Sequence, residues 1–151
     1  MLQRKLSVLT ISVVIVAPIA LIMMTLAAVN VSLTINSSGS IAASPNLAVY
    51  PDSACNVPLT ALNWGSAAPG GKVTQTIYVE NAQGSSPLTL DMTPTNWTPS
   101  SANGPLTVTW NQEGTVLAPG QSIEATITLT VSPSITGIGS FGVQILISGT
   151  G

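Results

Sequence analysis

Two regimes of hydrophobic patterning divide the chain. From Leu6 to Val29 there are 24 residues without a charge and without polar alternation. Beyond Val29 the apolar residues recur at every second position. Val31-Ser32-Leu33-Thr34-Ile35 alternates, as do Val73–Val79, Leu88–Met92, Leu106–Trp110, Ile123–Val131 and Phe141–Ile147. Shorter candidates are Leu47–Tyr50, Leu62–Trp64 and Val116–Leu117. A period of two is the mark of half-buried strands, and the Thr, Val and Ile that carry it suit a pleated surface. No window after Val29 holds a clean helical period. The separators are turn chemistry: Pro69-Gly70-Gly71, Asn81–Ser86, Asn103-Gly104-Pro105, Glu113-Gly114, Pro119-Gly120 and Gly137–Gly139. Eight or nine short strands so spaced predict an all-β fold, a two-sheet sandwich of jelly-roll or immunoglobulin-like type over residues 41–151.

One motif occurs twice. Ala68-Pro69-Gly70-Gly71 leads into Thr76-Ile77-Tyr78-Val79, and Ala118-Pro119-Gly120-Gln121 leads into Thr126-Ile127-Thr128-Leu129. Each places Pro at the second position of a turn, then a Gly that tolerates positive φ, then a strand.

The first regime reads as an export device. Arg4 and Lys5 precede the apolar run, which is the order of a signal peptide, and Ala27-Ala28 supply small residues for cleavage. The run is also long enough to cross a bilayer of about 30 Å as a hydrophobic helix, so retention as a membrane anchor is the alternative for residues 1–29. A type IV-like pilin would keep that helix after cleavage near Lys5, but Leu6-Ser7 offers no Gly or Ala at the junction.

Composition narrows the chemistry. The 151 residues include 5% charged residues, against about 25% in ordinary soluble chains. Arg4, Lys5 and Lys72 are the only basic residues, which excludes a surface that tracks nucleic-acid phosphates. With no histidine there is no imidazole base and no histidine metal ligand. Cys55 is the only cysteine, so no internal disulfide forms. The acids Asp52, Glu80, Asp91, Glu113 and Glu124 are scattered, with no spacing that argues for a catalytic pair. Asp52 and Asn56 share a loop but make a meagre calcium motif. Neither a cofactor nor a metal nor an enzymatic reaction is indicated. Trp64 and Trp110 sit at strand ends just ahead of turns and are expected to plug the core. Three Asn-x-Ser/Thr sequons, at Asn30, Asn36 and Asn96, are candidate glycan acceptors in an exported chain, with Asn96 expected in an accessible Thr-Pro-rich loop.

Several of these features occur together in one known group. The apolar leader, the alternating strand behind it, Leu47–Cys55, Trp64-Gly65, the Pro69-Gly70-Gly71 turn, Tyr78-Val79-Glu80-Asn81, Asn96-Trp97 and Pro119-Gly120 make the chain resemble small exported β-domains of thermophilic archaea. Some of these resemble the subunits of archaeal bundling pili and threads and, more distantly, the bacterial biofilm fibre protein TasA. The resemblance implies a jelly-roll-like subunit of an extracellular filament, acting in adhesion or biofilm formation. Its partner would be itself, head to tail, with neighbouring filaments as further contacts. Polymerisation would proceed by donor-strand complementation.

The residues suited to that role are Val31, Leu33 and Ile35, an apolar stripe on one face of a strand. Asn36–Ser40, rich in Ser and Gly, is expected to follow it as a flexible tether, so that residues 30–40 form donor strand and linker. The competing reading keeps Val31–Ile35 within its own sandwich, as part of a membrane-anchored or surface-associated immunoglobulin-like binding domain.

Overall fold

The structure is a computed structural model and describes residues 35–44 and 46–151. The leader, Asn30, Val31 and Leu33 lie outside the described residues, as do the side chains of Ile35 and Asn36. Among the described residues nine strands follow one another: β1 (Ile35–Ala43), β2 (Leu47–Tyr50), β3 (Ala61–Ala67), β4 (Lys72–Asn81), β5 (Leu88–Thr98), β6 (Leu106–Trp110), β7 (Val116–Leu117), β8 (Ser122–Val131) and β9 (Ser140–Thr150). A 3-10 turn, Ser100–Ala102, lies between β5 and β6.

The strands form two packed sheets, ordered β3-β1-β9-β5-β7 and β2-β4-β8-β6. All ladders between strands are antiparallel except one: β1 runs parallel to β9. The alternation seen in the sequence is the two-sidedness of these sheets. Ile77 and Val79 of β4, Ile127 and Leu129 of β8, Leu106 and Val108 of β6 point inward from the four-stranded sheet. Leu90, Ile145 and Ile147 meet them from the other. Burying each such side chain contributes about 1.5–3 kcal/mol, which is what holds the layers together.

The duplicated turn has a structural meaning. In each copy the fourth residue donates to the first carbonyl, Gly71 N to Ala68 O at 2.9 Å and Gln121 N to Ala118 O at 3.1 Å. Gly70 and Gly120 take φ of +75° and +70°, which makes both turns type II. Each turn then caps the far end of the other strand. Gly70 N donates to Val131 O, while Gly120 N donates to Asn81 O. Val131 N and Asn81 N return bonds to Gly71 O and Gln121 O. The long β4–β8 ladder is therefore clamped at both ends by the same chemistry.

Two expectations are corrected. Asn36–Ser40 is not a tether: it lies in β1, hydrogen-bonded to β3 on one side and β9 on the other. Ser and Gly are poor strand formers alone, but two flanking ladders hold the segment extended, so tertiary pairing overrides propensity. The boundary expected at residue 41 thus falls inside a strand. Trp110, expected in the core, is half-buried at the end of edge strand β6, and its indole nitrogen donates to Glu113 Oε2 at 2.7 Å. A strand paired on one side only leaves its last ring partly in water. Trp64, by contrast, is 2% exposed and fully part of the core.

Candidate functional site

The feature that sets this sandwich apart is the seat of β1. Between Ser37 and Ile41 its odd positions are the more buried and its even positions face outward. Facing inward are Gly39 and Ile41, both buried; Ser38 and Ser40 face out. The register pairs Gly39 with Leu62 on β3 and with Val143 on β9. A Cβ at position 39 would stand 3.1 Å from Trp64 Nε1, so the glycine lets the β1 backbone pass beneath the indole. That indole nitrogen is the one buried side-chain polar atom among the described residues with no hydrogen-bond partner. From Ser37 onward β1 thus adds many backbone bonds and little apolar bulk. Its link to β2 is the short connection 44–46, where Asn46 adopts φ +74° and Ser44 bonds Ile147 O and Gly149 N at 3.0 and 3.1 Å.

Val31 and Leu33 lie outside the described residues, and Ile35 opens β1. In sequence the three fall on the same alternate positions as Gly39 and Ile41. Both flanking strands stop close to where they begin: β3 ends at Ala67 opposite Ile35, and the β9 ladder starts at Ser140 opposite Asn36.

The carboxylates are each engaged by their own surroundings. Glu113 accepts from Trp110 and from Met92 N, Glu124 from Tyr78 Oη at 2.8 Å, and Asp52 from Ala54 N at 2.9 Å. Asp91 accepts from Thr93 Oγ1 at 3.1 Å, and Glu80 lies close enough to Tyr50 to raise its hydroxyl pKa. No group of three or more Cys, Asp or Glu able to hold a metal ion exists among the described residues.

On the outer face of the four-stranded sheet, Tyr50, Tyr78 and Glu124 lie side by side across β2, β4 and β8. Hydrogen bonding to Glu124, then burial, raises the Tyr78 hydroxyl above its ordinary range. Burial, then Glu80, does the same for Tyr50. Burial also pushes the Cys55 thiol up, with the Glu80 charge adding to it and a Ser122 hydrogen bond opposing it. A thiol so held is mostly protonated at neutral pH and a weak nucleophile.

The tryptophans make no common sugar-stacking platform, since Trp64 is buried and Trp97 packs inward on Phe141 with ring centroids 5.9 Å apart. Asn96 is not in a loop. It sits within β5 at φ +51°, where the register against β9 shifts between Thr95 and Thr98. Sequence reasoning missed that bulge, because Pro94 and Pro99 around it read as a loop. Asn81 was also missed as a structural group. Its side chain is fully buried, donating to Ser86 O and Leu117 O at 2.9 and 3.0 Å and accepting from Ser85 Oγ at 2.6 Å.

Compared with known proteins, the chain matches no family model and no curated sequence.

Proposed function

We propose that the protein is the structural subunit of an extracellular filament, assembling head to tail through its N-terminal strand. The leader serves as signal peptide or anchor for export, and the sandwich is of the jelly-roll or immunoglobulin-like kind. What carries this reading is β1: bonded on both sides in a sheet interior, yet from Ser37 onward burying only Gly39 and Ile41. A strand held mainly by backbone pairing, in a parallel ladder that needs no hairpin, can come from its own chain or from a neighbour's with the same bonds. The short connection after it, with a non-glycine residue at positive φ, favours exchange, because a short hinge under strain invites domain swapping. Val31, Leu33 and Ile35, an apolar alternation in the sequence, supply the knobs, each contributing about 1.5–3 kcal/mol when buried in the neighbour. Repeating one such heterologous contact gives an open fibre instead of a closed ring.

The test is a secreted chain lacking residues 30–43. It should remain monomeric by light scattering and electron microscopy, and a synthetic peptide of residues 31–43 should bind it and raise its Tm. Leu33→Asp in the full chain should likewise block fibres, since an unpaired carboxylate is costly to bury. Fibres from the truncated chain, or a full mature chain that stays monomeric at high concentration, would hand the lead to the anchored binding-domain reading.

A further inference from the structure

The outer face of the five-stranded sheet is scooped out over β1, β9 and the bulge of β5. Short side chains make the hollow: Ser38 and Ser40 on β1, Ala61 on β3 and Gly142 on β9. The depression has a volume of about 520 Å³ and runs on into a second of about 540 Å³ that shares Ser38, Thr98 and Gly142. Neither is lined by a charged residue.

The sequon Asn96-Trp97-Thr98 lies on its rim. The bulge turns Trp97 inward onto Phe141 and leaves Asn96 and Thr98 both exposed on the outer face. Asn96 Nδ2 donates one of its two protons to Gln144 Oε1 at 2.6 Å, which orients the amide across the sheet. An amide has a second N–H, and that one is not needed by the fold.

We propose that Asn96 carries an N-linked glycan whose first sugars lie in this uncharged, hydroxyl-lined depression. The inference rests on the export reading, since the sugar comes from a polyprenyl-phosphate-linked oligosaccharide on the far side of the membrane. In the transfer a bond forms from Asn96 Nδ2 to the anomeric carbon. The bond from that carbon to the lipid phosphate oxygen breaks, the lipid phosphate leaves with the electron pair, and Nδ2 gives up one proton. The remaining N–H keeps its bond to Gln144. Ser38, Ser40, Thr98 and Gln144 then offer hydroxyl and amide partners to the sugar hydroxyls, and no carboxylate or cation competes. Folding does not hide the site, because the face is open.

The experiment compares the full protein, purified from the cells that make it, with Asn96→Gln and Thr98→Ala. Intact-mass and peptide mass spectrometry should find the wild type heavier than its sequence by a glycan on the Asn96 peptide, and both variants without it. Thr98→Ala keeps Asn96 and its bond to Gln144, so it separates the modification from any loss of folding. The glycosylated wild type should melt above Thr98→Ala, and Ser40→Trp, which fills the hollow, should erase that difference while keeping the glycan. A bare Asn96 on protein recovered outside the cell overturns the inference and leaves the export reading intact. Bare protein found only in the cytoplasm overturns both. A glycan that leaves the melting temperature unchanged overturns its seat in the depression.

Discussion

Gly39 lies directly beneath the indole of Trp64, with 3.1 Å between the nitrogen and the place a methyl group would take. Gly39→Ala ordinarily gains strand stability by removing unfolded-state entropy. Here the added methyl meets a buried ring with little room to retreat, and overpacking costs about 1–3 kcal/mol. The substitution should therefore lower the urea midpoint, and Gly39→Leu should lower it further.

The two tryptophans expected in the core should separate. Trp64→Ala opens a cavity in the sandwich and should cost about 3–5 kcal/mol. Trp110→Ala loses half-buried packing and one hydrogen bond to a carboxylate, and should cost about 1–2 kcal/mol. Denaturant titration of both variants checks the ranking, and a Trp110 cost equal to that of Trp64 would contradict it.

That contrast marks how far the sequence could be read. Alternation placed β4, β6 and β8 within a residue or two and β9 at its start but three residues short of its end, because each carries branched apolar residues with one face buried. β1 was illegible: Asn36-Ser37-Ser38-Gly39-Ser40 carries no apolar signal, and only the ladders on either side make it a strand. Trp110 was misjudged because periodicity gives the face a residue points to, not how much sheet covers it. The bulge at Asn96 was hidden by two flanking prolines. Asn81 looked like the opening of a polar turn, and its burial arises from the approach of Leu117, 36 residues away.

Asn81 should be the least replaceable polar residue among those described. Asn81→Leu is close in size but takes the amide donor from the buried Leu117 carbonyl and from the Ser86 carbonyl, while the Ser85 hydroxyl keeps its bond to Ala82 O. An unsatisfied buried group costs about 1–3 kcal/mol, so the loss should exceed that of any substitution on the exposed face. Thermal melts of Asn81→Leu and Asn81→Ala report it.

Alkaline pH should destabilise the fold through one small cluster. Tyr50 and Tyr78 are raised from 10.0 and Cys55 from 9.0, so the native state holds these protons more tightly than the unfolded chain. The resulting stability is complete below about pH 9 and drains away as pH rises through the raised values. Tyr78→Phe combined with Tyr50→Phe and Cys55→Ser should flatten the decline between neutral and strongly alkaline pH, measured as the urea midpoint at each pH. An unchanged slope in the triple variant would remove these groups as its source.

The parallel seating of β1 against β9 has a mechanical consequence. Asn36 through Ala43 pair with Ser140 through Ile147 in one continuous ladder. A pull on the leading end of β1 opposed by a pull on the trailing end of β9 runs along both strands in opposite senses. Every bond of that ladder is then loaded in shear at the same moment, and none can be peeled open ahead of the rest. Tension applied at those two points is therefore resisted by the whole ladder acting together.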